Sequence, residues 1–148
     1  RVFQGSNLFG KGACYGLARK IKPQPEAVDY IFMGADKLKS NVGMKLFDQG
    51  TERNYTIFEA GISWYDADST FEIYIQEGNQ IDIMLTSVIG AGNKLAQIIL
   101  EGLSGNVSRL KIHMHFTEIN QMTVEIEDLG LGTMRPGSHN LWHEVISI

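Results

Sequence analysis

Residues 93–128 read NKLAQIILEGLSGNVSRLKIHMHFTEINQMTVEIED, and the fold is decided there. Leu110, Ile112, Met114 and Phe116 alternate with Lys111, His113, His115 and Thr117. After a short polar break, Met122, Val124 and Ile126 alternate with Thr123, Glu125 and Glu127. Successive side chains on a strand point to opposite faces, so strict period-two alternation predicts half-buried antiparallel strands. Asn93–Leu103 precedes them as a third strand that ends in the turn glycine Gly102.

The same texture extends to both sides. Further strands are predicted over Tyr30–Met33, Val42–Asp48, Tyr55–Glu59, Thr70–Gln76, Gln80–Val88 and Leu141–Ile148, with Leu95–Glu101 as the core of the third strand above. Turn residues separate them: Asp48-Gln49-Gly50, Glu77-Gly78-Asn79, Gly90-Ala91-Gly92-Asn93 and Gly130-Leu131-Gly132. Short strands with regular turn signals predict a mainly β chain, an antiparallel sandwich or barrel.

Residues 1–22 differ. Gly5, Gly10, Gly12 and Gly16 lead into a helix-like tail with Arg19, Lys20 and Lys22, cations that complement the C-terminal end of a helix dipole. Pro23 and Pro25 stop any helix, because the residue before a proline avoids the α region. The expected organisation is the helical end of a preceding unit over 1–22, a linker over 23–29 and a β-sandwich over 30–148. Arg1 stands where a methionine would open a gene product, so a piece of a longer protein is expected.

Composition narrows the function classes. A chain of 148 residues buries about 68–70% of its unfolded surface, enough for a core without metals or disulfides. Hydrophobic content of 43% and charged content of 20% are those of an ordinary globular protein. The net charge of −4 offers no basic footprint, so no nucleic-acid partner is expected. The single Cys14 excludes a disulfide framework and suits a reducing, cytoplasmic setting. No apolar run approaches the ~20 residues of a membrane span, and no membrane partner is expected.

Several residue groups could carry chemistry. Gly5-Ser6-Asn7-Leu8-Phe9-Gly10-Lys11 matches the G-x-x-x-x-G-K of a phosphate loop, but Gly12 replaces the hydroxyl that would hold magnesium and no strand precedes it. A glycine-rich helix start is the preferred reading. His113 and His115 project the same way from one strand, and Glu125 or Glu127 could add a third ligand for zinc or copper in a metal-dependent enzyme. A solvated face is the plainer reading, and no metal is expected. Trp64, Tyr65, Asp66 and Asp68 could stack on and hydrogen-bond a sugar in a carbohydrate-binding module, although such aromatics more often plug a sandwich end. Carboxylates for acid–base work could be drawn from Glu118, Glu125, Glu127 and Asp128. His139 and His143 show no metal spacing, Cys14 reads as a small buried residue, and there is no G-x-S-x-G nucleophile motif.

The text over Asn93–Val124 resembles the β-sandwich substrate-binding domain of the seventy-kilodalton heat-shock chaperones. Asn93, Leu95, Leu100, Gly102 and Leu103 stand in the places of that family's N-x-L-x-x-x-x-L-x-G-[IL] strand. Ile112, Met114 and Phe116 match its I-x-V-x-F strand, Met122 and Val124 its L-x-V strand, and Val42-Gly43-Met44 resembles its opening L-G-[IM]. The N-terminal segment is similar to the last helix of the actin-like ATPase domain that precedes this sandwich, with Gly12-Ala13 at the helix start. AGISWYDAD and IEDLGLG look closer to a bacterial group of chaperone-like ATPases.

The resemblance implies the C-terminal sandwich of a heat-shock-like, actin-like ATPase, binding an extended peptide or a protein partner. Implied peptide-binding positions are Met44, Ile81, Ile83 and Ile112, which also read as ordinary core residues. No catalytic residue, cofactor or enzymatic activity of its own is implied. Ser104-Gly105-Asn106-Val107-Ser108 replaces the family's proline-rich connection, Glu118-Ile119-Asn120-Gln121 replaces its D-x-N-G turn, and no helical lid follows within these residues.

Overall fold

Among the described residues, alternation along the chain resolves into two four-stranded antiparallel sheets. The computed structural model describes residues 8–21, 33–48, 50–90, 92–103 and 107–148. The chain forms two units, Arg1–Ile31 and Phe32–Ile148. The first contains helix α1, Leu8–Ile21. Gly10, Lys11 and Gly12 are wound into this helix, so the second half of the phosphate-loop match is not an open loop. Gly5, Ser6 and Asn7 lie outside the described residues, as do the linker over 23–29 and most of the strand expected over Tyr30–Met33.

The second unit is built from β1 (Ser40–Asp48), β2 (Thr51–Phe58), β3 (Asp68–Ile75), β4 (Gln80–Ser87), β5 (Asn93–Ile99), β6 (Ser108–Glu118), β7 (Gln121–Gly130) and β8 (Leu141–Ser147). Sheet 1 has the order β2-β1-β4-β5 and sheet 2 the order β3-β6-β7-β8. The expected β-sandwich is therefore present. β2 starts earlier than the alternation implies, at Thr51. Thr51 and Glu52 pair with Asp48 and Phe47, and a solvent-exposed edge strand has no need of an apolar period.

The two sheets share one apolar interior. Sheet 1 sends Val42, Met44, Ile81, Ile83, Leu85 and Ile98 into it. Sheet 2 sends Leu110, Ile112, Met114, Phe116, Met122, Val124 and Ile126. Each fully buried aliphatic side chain of this kind contributes about 1.5–3 kcal/mol, so the interior dominates stability. At one end, Gly61 N–H donates to the Leu38 carbonyl at 2.8 Å and Leu38 N–H to the Ile62 carbonyl at 2.9 Å. These bonds fix the 3-10 turn Trp64–Asp66, from which Trp64 packs against the core. Among the described residues no helix is long and apolar enough to cross a membrane.

Candidate functional site

The four implied peptide-binding residues are brought together, but inside the sandwich. Met44 on β1 is the register partner of Ile83 on β4, with Ile81 two residues away on the same strand. Ile112 belongs to the other sheet. They are 3%, 4%, 1% and 1% exposed for Met44, Ile81, Ile83 and Ile112, so no groove opens at these positions. The reason is the period itself: each sits in the inward phase of its strand, and the opposing sheet covers it.

Polar chemistry gathers on the outer face of sheet 2. The register aligns Thr70, His113, Glu125 and His143 across β3, β6, β7 and β8. His113 Nδ1 lies 3.0 Å from Glu125 Oε2, and its Nε2 lies 3.3 Å from Asp68 Oδ1. One imidazole thus ties three strands together. Glu125 raises the His113 pKa above the ordinary imidazole value, burial opposes the rise, and Asp68 adds to it. The same hydrogen bond to His113 holds Glu125 below its ordinary value against a smaller effect of burial.

His115 stacks on His113 with ring centroids 4.8 Å apart and planes inclined by 25°. Stacked rings aim their nitrogens side by side rather than at a common point. Among the described residues no group of three His, Cys, Asp or Glu side chains is placed to hold a metal ion. Beside His113 the face dips into a depression of about 210 Å³, bordered by Thr70, Lys111, Glu127 and Leu141.

The 3-10 turn divides its aromatic pair. Trp64 is committed to the core, whereas Tyr65 is 61% exposed and meets the Trp64 ring edge-on at 5.7 Å. Asp66 is exposed beside them. A sugar would find one ring here, not a two-ring platform.

The most enclosed polar group is Asp128, 0% exposed at the end of β7. Its carboxylate accepts from the Ser108 hydroxyl, from the Gly130 N–H at 3.0 Å, and from the Ser138 N–H and hydroxyl at 3.0 and 2.6 Å. Burial pushes this carboxyl up, but the Ser108 and Ser138 hydroxyls and the two N–H groups outweigh it and hold its pKa at about 2. The Asp128 backbone completes the link, donating to the Asn140 carbonyl and accepting from the His139 N–H, both at 3.1 Å. His139 itself sits at φ 54°. Gly137 fits only because it has no side chain: a Cβ there would fall 2.5 Å from the Asp128 carbonyl oxygen. Asp128 thereby fastens the β7–β8 connection to the start of β6. This is structural chemistry, a carboxylate used as a buried latch.

Sequence reading named Asp128 only as one of several acids, and passed over Ser108 and Ser138. A signal was present. Met122, Val124, Ile126 and Asp128 share one phase, and Ser108 shares the phase of Leu110 and Ile112. Both polar residues were thus directed inward by the same rule as their apolar neighbours.

Comparison with known proteins returns one family. No curated protein and no solved structure matches the chain. The model of a family described as "Domain of unknown function (DUF8552)" matches residues 37–148. That span takes in every strand from β1 to β8, the His113 cluster and the Asp128 latch. The chain belongs to the DUF8552 family.

Proposed function

We propose that the sandwich is a protein- or peptide-interaction module without catalysis of its own, the C-terminal domain of a heat-shock-like, actin-like ATPase. The spaced residues of Asn93–Val124 and Val42-Gly43-Met44 support the kinship. One geometric observation carries the mode of binding. Each sheet ends in strands paired on one side only among the described residues, β2 and β5 in sheet 1 and β3 and β8 in sheet 2. Such an edge accepts an extended segment through main-chain hydrogen bonds, with side chains on alternate positions giving selectivity. Because Met44, Ile81, Ile83 and Ile112 are sealed in the core, the partner binds outside it. Cys14 as the sole cysteine supports a reducing, cytoplasmic setting.

The test is a titration of isotope-labelled protein with extended hydrophobic peptides, read by backbone amide shifts. Weak binding is expected, with shifts confined to the edge strands. An unchanged spectrum refutes peptide binding. Shifts centred on Met44, Ile83 and Ile112 refute the external mode in favour of an interior groove.

A further inference from the structure

Strand β5 differs from the other three edges in the charge it shows. Among Asn93–Ile99 only Lys94 is charged. The β2 edge carries Glu52 and Arg53, β3 carries Asp68 and Glu72, and β8 carries His143 and Glu144. Charges on an edge strand are a usual guard against pairing between molecules. β5 has no such guard on its outward row.

The direction of its backbone follows from the bonds at its two ends. Leu100 N–H donates to the Asn79 carbonyl at 2.7 Å, and Ser87 N–H donates to the Gly92 carbonyl at 3.3 Å. The intervening pairs, Ile81 with Ile98, Ile83 with Ala96 and Leu85 with Lys94, keep that register. Antiparallel partners alternate between bonded and non-bonded pairs, so the even-numbered residues turn their N–H and C=O toward β4. Asn93, Leu95, Gln97 and Ile99 turn theirs the other way, where no described strand lies. Their side chains share the outer face of sheet 1, where Leu95 faces Met84. Leu95 is 55% and Ile99 59% exposed.

We propose that a second copy of this chain pairs on that edge, β5 against β5, antiparallel about a two-fold axis through Gln97. In this register Leu95 lies opposite Ile99 of the second copy, and Gln97 opposite its own counterpart. All are residues whose backbone groups face the open side, so each pair can exchange both hydrogen bonds. The two Lys94 side chains fall opposite Leu100 and lie about 20 Å apart along the strands, beyond the screening length of about 8 Å at physiological salt. Apolar side chains meet and like charges do not. The arrangement is isologous and uses up the edge, so it closes at a dimer. A seven-residue edge is small beside a standard interface of about 1,600 Å², so the association is weak and concentration-dependent. It does not rest on peptide binding, and its test uses no peptide.

The experiment is sedimentation equilibrium on the 148-residue chain from micromolar to near-millimolar concentration, with amide exchange measured at both limits. The average mass is expected to rise from 16.5 kDa toward twice that value. Exchange protection at Asn93, Leu95, Gln97 and Ile99 rises with it. Leu95→Lys combined with Ile99→Lys alters only exposed side chains and should weaken the dimer at least ~10-fold. Gln97→Pro removes an N–H that β4 does not use and should do the same, since an edge strand tolerates proline there. Val145→Lys on the β8 edge leaves the mass curve unchanged. A constant 16.5 kDa, wild-type association in both β5 variants, or protection gained on β8 instead overturns the proposal.

Discussion

Phe58 of sheet 1 and Phe116 of sheet 2 meet edge to face, with ring centroids 5.8 Å apart and planes inclined by 73°. The pair joins the sheets across the interior, one ring directing its positive edge at the other's negative face. Both are buried, at 4% and 6% exposure. Phe116→Ala is expected to cost about 3–5 kcal/mol, because it removes a buried ring and leaves a cavity. Lys111→Ala, on the opposite face of the same strand, should cost less than about 0.5 kcal/mol. Urea unfolding of the two variants checks this. Equal costs would refute the facing assigned to β6.

Asp128→Ala should destabilise the sandwich by about 3 kcal/mol, since it strands the Ser108 and Ser138 hydroxyls and two N–H donors that now bind a charge. The pH dependence has a definite sign. The folded pKa of about 2 lies below the ordinary 3.8, so this group's contribution is complete above the ordinary value. It is lost as pH falls through the folded value. The shift corresponds to about 2 kcal/mol, disappearing between about pH 4 and pH 2. Denaturant midpoints measured across acid pH should fall more steeply for the wild type than for Asp128→Ala. Parallel profiles would argue against the latch.

His113 should titrate above the ordinary imidazole value of 6.5. A raised folded pKa gives stability that is fully present below the unfolded value and lost as pH rises through the folded one. Any stabilisation from protonated His113 therefore fades on the alkaline side of 6.5. Glu125→Gln removes the strongest contributor and should bring the midpoint down, as followed by the ring proton resonances. A midpoint that does not move would mean the Glu125 contact does not persist in solution.

Gly43→Ala should cost about 1–3 kcal/mol. The added Cβ would stand 2.6 Å from the Tyr55 carbonyl oxygen, at the point where the β1–β2 register shifts. That oxygen belongs to a paired strand and cannot swing aside like a side-chain tip. Gly92→Ala, with nothing within 4 Å of its Cβ, is the matched control and should stay within about 0.5 kcal/mol. Thermal melts of the pair decide whether Gly43 is there for close approach.

The alternating runs made β6 legible over Leu110–Thr117 and β7 over Met122–Glu127, because there one face is core and the other is solvent. Asp128–Gly130, at the end of β7, was not read as strand. β2 was half legible, since Thr51–Asn54 lie on an exposed edge where no burial imposes a period. Strand order was not legible. That β3 pairs with β6, placing Asp68 beside His113, depends on contacts 45 residues apart, and no local pattern encodes them. The sequence offered His113 a partner in Glu125 because β6 and β7 are adjacent in the chain. The phase that would have placed Asp128 and Ser108 inside was written in the sequence, yet a polar residue is readily taken to mark a strand's end.

The chain changes sheet between β2 and β3, again between β3 and β4, and once more between β5 and β6. Neither sheet is therefore encoded by a contiguous stretch of residues. During synthesis β3 must wait for β6 to emerge before it acquires a neighbour, while the apolar faces of β1 and β4 await the same strand to be covered. No N-terminal half can mature alone: a truncation before β6 leaves sheet 1 with all four strands but its apolar face uncovered, and sheet 2 with β3 alone. Interlacing of this kind makes acquisition of structure an all-or-none event, with the period of greatest exposure to aggregation or proteolysis falling while residues 108–118 are still within the ribosome.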